Sequence, residues 1–293
     1  MDIDVFTQGE LPSVLRVLRS ALRPDGALTP RERAFLATYA QIVGVRLAAA
    51  DPEPLPADEV QVDDPHARKR LVQLAALAVL LGRPVRASAF EYLHALARHL
   101  RTHDGVIDVI AALHKGRRLT VRMLALRRGF KGILGDAYRA EGAFGVLRFL
   151  GAFWFKMAVN RDRLWDHRRL GLLPEGTLGR EYWAHMTRLG YGFPGERGGI
   201  PSSIAYHDVG HVLAGHDTTP LGEIQQGSFQ GGNRRDDGFF FVQFAILHFH
   251  QGIRLTPGRS RRSIFSIPPR CCGRSTAARN AESTSRDNGI TGR

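Results

Sequence analysis

The sequence predicts an all-α protein, on three observations. Apolar residues recur at three- and four-residue intervals through most of the chain, several of these runs open on helix start signals, and no run alternates with period two over the length of a strand. The composition is that of a globular chain: 293 residues, 43% hydrophobic and 24% charged, with 32 glycines and 15 prolines. That excludes general disorder and fibrous repeats, and leaves enough chain for one large core or two smaller ones.

The elements follow in order. Val14, Leu15, Val17, Leu18, Ala21 and Leu22 have helical spacing until Asp25-Gly26 breaks it. Thr29-Pro30-Arg31-Glu32 is a capping box with proline at the first helical position, and starts a helix running to about Val43. Residues 51–65, rich in proline and acidic side chains, read as a loop, and Leu71–Leu81, Ser88–Leu100 and Val106–Leu113 read as helices. Residues 1–115 therefore form a small helical bundle. A connector, 116–164, follows. Lys115 to Lys131 holds seven basic residues and no acidic one, and Phe144–Val159 crowds Phe149, Phe153, Trp154 and Phe155 between cations. A solvated helix face followed by core aromatics is the plain reading; contact with an anionic membrane surface is the other. From 165 onward, Thr177 opens a helix that Gly190 closes, Ser202 or Ser203 caps a helix from about Ile204 to Ala214, Thr219-Pro220 starts another containing Glu223, and Phe239–Phe249 marks a third. Beyond Pro257 the periodicity ends, and residues 258–293 read as a disordered Arg- and Ser-rich tail or as sequence outside its natural frame.

Charge and cysteine content narrow the function classes. The net charge is +13, of which the tail contributes +6 through eight Arg against Glu282 and Asp287, leaving +7 on the body. That balance suits an anionic membrane surface, an acidic ligand or simple solubility, and does not by itself indicate nucleic acid. The two cysteines, Cys271 and Cys272, lie in the tail, so no disulfide framework is expected; with an acidic start, Met1-Asp2-Ile3-Asp4, and no 18-residue apolar run, the expected location is cytoplasmic.

The chemistry is concentrated in His207-Asp208-Val209-Gly210-His211. Histidines four residues apart share one helix face and make a bidentate clamp for a cation. Glu223, twelve residues after His211, lies beyond a Gly-His-Asp-Thr-Thr-Pro turn that can fold its helix back on the first. Two imidazoles and a carboxylate suit a divalent metal with an open position, zinc first, with iron or manganese also compatible. Asp208 stands where the metalloprotease pattern has its catalytic Glu; one methylene shorter, it either reaches the metal or supports a ligand histidine. His216 and Asp217 in the turn are supporting candidates, and His248 and His250 read as structural.

These residues resemble a known family. Pro174-Glu175-Gly176-Thr177-Leu178-Gly179-Arg180-Glu181-Tyr182, then His207-Asp208-x-x-His211, eleven residues and Glu223, is similar to the coenzyme Q (ubiquinone) biosynthesis protein four family over about residues 165–255. The resemblance implies an all-helical peripheral membrane protein with a zinc-type site formed by His207, Asp208, His211 and Glu223 beside a channel for a polyprenyl lipid. It implies a role at the ring-carboxyl step on a prenylated hydroxybenzoate, in company with other coenzyme Q biosynthesis proteins on the inner face of the cell membrane. Family members continue with further helices where this chain has its tail. Asp25-Gly26 and Thr29-Pro30-Arg31-Glu32 resemble tellurite-resistance B-type helical domains. Two rival readings stand beside this one. A His-Asp metal phosphohydrolase would recruit His185 and Asp236 or Asp237 and leave Glu223 idle, and a non-catalytic lipid-binding scaffold would use the metal only to brace the hairpin.

Overall fold

The computed structural model describes residues 2–47, 51–155, 161–196, 199, 205–233 and 238–255, and among them there is no strand. The protein is all-α. Helix α1 (Leu11–Leu22) buries its whole apolar stripe. Helix α2 (Pro30–Ile42) starts on the capping box: Thr29 accepts from the Glu32 amide while Glu32 accepts from the Thr29 amide at 2.8 Å. Helix α3 (Pro65–Leu81) begins earlier than its apolar run, because Asp64 accepts from the Ala67 amide at 2.7 Å and Pro65 fits the first turn. Polar residues in that first turn hide the start from a periodicity argument. Helices α4 (Ala87–His99) and α5 (Gly105–His114, capped by Asp104) complete the bundle.

Helix α6 (Arg118–Phe155) carries most of the basic stretch and breaks at Glu141-Gly142, where Gly142 has φ of 60°. Its inner face sends Val121 and Ala125 into the core, while Leu119 and Met123 are exposed among the cations. Phe149 is buried edge-on to Phe130, and Phe144 is exposed. The side chains of Phe153, Trp154 and Phe155 lie outside the described residues, as do the tail, Ser202, Ser203, Asp236 and Asp237. Helices α7 (Arg161–Arg169) and α8 (Leu178–Leu189) follow, then α9 (Tyr206–Ala214), α10 (Pro220–Gly232) and α11 (Gly238–Ala245), the last passing into a wider π turn at Ile246–His250. No helix among the described residues is long and apolar enough to cross a membrane.

The main apolar core is built on α1 to α5, and Phe239, Val242, Ile246, Leu247, Ile253 and Leu255 return to it from the far end of the chain. A smaller cluster gathers around Tyr182, Met186 and Phe193. A buried polar chain crosses the junction: Gln73 donates to Asp104 at 2.7 Å, and Arg128 bonds both Asp104, at 2.8 Å, and the Gln243 side chain, at 3.1 Å. Burial opposes the Asp104 charge, but Arg128 and the cap hydrogen bond outweigh it and hold the carboxyl below its usual range.

Glu32 is the second buried carboxylate that ties helices together. Arg23 and Arg86 donate to it at 3.1 and 2.8 Å, joining the end of α1 and the start of α4 to the cap of α2. Burial alone would raise its pKa from 4.5, yet the Thr29 amide and the two guanidinium groups hold it to about 2. Its contribution, about 3 kcal/mol, is fully present above the unfolded value and is lost as pH falls from there toward 2. Glu32→Gln should therefore lower stability to urea at pH 7, and the gap to wild type should close between about pH 4.5 and 2; a gap unchanged over that range would place the effect outside the carboxylate charge.

Candidate metal centre

Helices α9 and α10 form a tight hairpin whose turn chemistry is fully local. Gly215 closes α9 with φ of 68°, the Asp217 side chain accepts from the Thr219 amide at 2.9 Å, and Thr219 caps α10 by accepting from Gly222 at 3.2 Å. Pro220 fills the first position, and Glu223 stands in the first turn, where the helix dipole favours its charge. The two helices meet closely because Gly210 has no side chain: a Cβ there would overlap the Gln226 side-chain nitrogen. Gln226 is fully buried and spans the hairpin, donating to the His207 carbonyl at 3.3 Å and pairing with His216 Nδ1 at 3.2 Å.

This packing brings three ligand atoms together. His207 Nε2 lies 3.1 Å and His211 Nε2 3.6 Å from Glu223 Oε2, and the two nitrogens are 3.3 Å apart. A tetrahedral ion with ligand bonds of about 2.1 Å holds its ligand atoms about 3.4 Å apart, so the cluster has the dimensions of one cation. The group His207, His211 and Glu223 can hold a metal ion.

The far ring nitrogens decide the tautomers. His211 Nδ1 donates to the His216 carbonyl at 3.0 Å, and His207 Nδ1 donates to Gln230 Oε1 at 3.1 Å. With both Nδ1 atoms protonated, both Nε2 lone pairs face the cluster, the arrangement of ligand histidines fixed from behind. Burial works against a charged His207, but Glu223 outweighs it and raises the pKa of the ring. Burial likewise pushes Glu223 up, and the two rings, in the protonated form in which Nε2 donates to it, reverse this and hold it at about 2.

Of the residues singled out in the sequence, Asp208 is buried beside the cluster, but its carboxylate is not among the three converging ligands. Among the described residues no side-chain hydrogen bond holds it, and burial raises its pKa, with Glu223 adding to the shift and the two histidines opposing it. His185, on α8, stacks parallel to His211 with ring centroids 5.9 Å apart and is buried. His216 and Asp217 both support the site, the first through its carbonyl and the second through the turn. His248 bonds the Ile253 carbonyl and His250 the Leu81 carbonyl, at 3.0 and 3.1 Å, away from the cluster.

Sequence reasoning missed Gln226 and Gln230. With Glu223 they are spaced three and four apart, one polar stripe of α10 facing α9, and that spacing was the available signal. No family model, curated protein or solved structure matches the chain.

His207→Ala and Glu223→Ala should each abolish stoichiometric metal in the purified protein, measured by plasma mass spectrometry. Gln230→Leu removes only the group behind His207 and should weaken metal affinity about 10- to 100-fold with helicity retained. Wild-type affinity in Gln230→Leu would refute the orienting role.

Proposed function

We propose that the chain is a metal-dependent protein of ubiquinone (coenzyme Q) biosynthesis that acts at the ring-carboxyl step, removing the carboxyl of a prenylated hydroxybenzoate. The observation that carries this reading is the convergence of His207, His211 and Glu223 at the spacing of one cation, in the family's own order, His-Asp-x-x-His, eleven residues, Glu. Three protein ligands leave a position open, as in catalytic rather than structural zinc sites. Zinc suits the donor set best, with iron or manganese compatible. A cation held there supplies Lewis acidity toward a carboxylate or phenolate oxygen.

The residues around the cluster account for the proton. Asp208, buried beside the three ligands with its pKa raised by burial, is the group placed to supply a proton. When the bond from ring to carboxyl breaks, carbon dioxide leaves, the electron pair stays on the ring carbon, and the Asp208 proton moves to that carbon. Replacing the carboxyl by hydroxyl additionally needs an oxidant from another component. The prenyl chain has apolar surface to meet: Tyr206, Leu213, Leu221 and Phe229 are exposed on α9 and α10. The cations of α6 with exposed Leu119 and Met123 suit a peripheral position on an anionic membrane, beside other proteins of the same pathway.

Asp208→Asn should retain metal and lose decarboxylation of a prenylated hydroxybenzoate by at least about 100-fold, and His207→Ala should lose both. The reading is overturned if wild type holds no stoichiometric metal and His207→Ala behaves identically in that assay. Metal retained in Glu223→Ala but lost in His185→Ala would favour the phosphohydrolase arrangement.

A further inference from the structure

Helix α8 carries two buried polar groups that no described residue satisfies. Tyr182 and His185 are three residues apart, on one face of α8, and both are more than nine-tenths buried. Among the described residues the Tyr182 hydroxyl and His185 Nε2 have no hydrogen-bond partner. Buried side-chain polar atoms are nearly always paired, so two orphans on successive turns need an explanation. The geometry sets both against α9: the His185 ring lies against His211, and the cluster of Tyr182, Met186 and Phe193 packs on Val209 and Val212. The Tyr182 ring is fixed by edge contacts with Phe193 and His167, each with centroids 6.3 Å apart. These are positioned groups without a partner among the described residues.

We propose that Tyr182 and His185 form the recognition face for a carboxylate that would bind a cation held by His207, His211 and Glu223, donating hydrogen bonds to the carboxylate oxygens. The inference rests on the metal reading above. The donors select the ligand class: a buried hydroxyl and an imidazole N–H need acceptors, and a cation beside them favours an anionic one. A carboxylate has two oxygens, so it can bind the cation and accept from Tyr182 O–H and His185 Nε2–H together. His185 and Tyr182 are thus positioning and specificity residues for the ligand, distinct from the three that hold the metal.

The test uses the full chain loaded with one equivalent of Co(II), with benzoate as the probe and the visible cobalt bands as readout. Wild type should take one cobalt and show a saturable spectral change with benzoate. Tyr182→Phe and His185→Phe should each raise the benzoate dissociation constant about tenfold or more while keeping one cobalt, since each removes one hydrogen bond to a charged group. His185→Gln, which retains a donor, should recover most of the affinity. Wild-type benzoate affinity in both Phe variants, or no benzoate response in wild type, overturns the inference and leaves the metal reading intact. Cobalt lost from His185→Phe with circular dichroism unchanged also overturns it, by making His185 a metal ligand. Should that variant fail to fold, the isosteric Tyr182→Phe decides alone. Wild type that binds no cobalt fails at the earlier step and takes both readings with it.

Discussion

Two imidazole nitrogens that face each other without a hydrogen between them set the terms for the second half of this structure. A carbonyl and an amide oxygen engage both Nδ1 atoms, so neither Nε2 donates, and the two lone pairs stand 3.3 Å apart. Such a pair repels unless a proton or a cation lies between them. Glu223 supplies the negative charge that makes a cation welcome there, and its place in the first turn of α10 is fixed by Thr219 and Pro220. Every local feature of the hairpin serves this approach: the left-handed Gly215, the Asp217 turn and the missing side chain at Gly210.

A site of this kind has to stand on a rigid base, and the base is the N-terminal bundle. Helix α10 lies almost backbone to backbone on α11, because a Cβ at Gly227 would sit 3.0 Å from the Phe241 carbonyl and one at Gly231 2.6 Å from the Gly238 carbonyl. Helix α11 in turn plants Phe239 in the main core beneath the Arg70 guanidinium, 5.2 Å from the ring centre. Past the π turn, Gln251 donates to the Leu80 and Gly82 carbonyls at 2.6 and 2.8 Å. The carbonyls at the end of α3, which no intrahelical amide can satisfy, are thus closed by side chains some 170 residues away in sequence. Loss of that contact would loosen α11, and through it the stripe of α10 that carries Glu223, Gln226 and Gln230.

What the sequence revealed and what it hid divide along physical lines. Caps and apolar periodicity are local, so the all-α class, the α2 capping box and the Thr219-Pro220 start were legible. Helix α3 was read short because its first turn is polar and its start is specified by Asp64 alone. The His207, His211 and Glu223 set was legible because a helix repeat and one tight turn fix the spacing of all three. The return of residues 239–255 to the bundle core was not, since burial against distant helices leaves no local pattern. Nor was the place of His185, which depends on how α8 packs across α9 and not on any spacing to the His-Asp motif.

The split between ligands and acid follows from the geometry of α9 itself. At about 100° per residue, His211 lies about 40° around the helix from His207, and Asp208 about 100° in the same direction. The two histidines therefore share one face, and Asp208 stands on its flank, beyond His211. Helix α10 covers the histidine side, contributing Glu223 and Gln230 to His207. Helix α8 meets the other side, where His185 stacks on His211 and Tyr182 lies in the field of Asp208. One helix thus presents the candidate ligands to one neighbour and a buried carboxyl toward the other. On the side toward α8 lie the Asp208 carboxyl and the Tyr182 and His185 atoms that have no partner among the described residues. A fourth protein ligand would have closed that side. Among the described residues the converging group has three members, and a three-ligand group is the kind that leaves a cation a position for a further ligand.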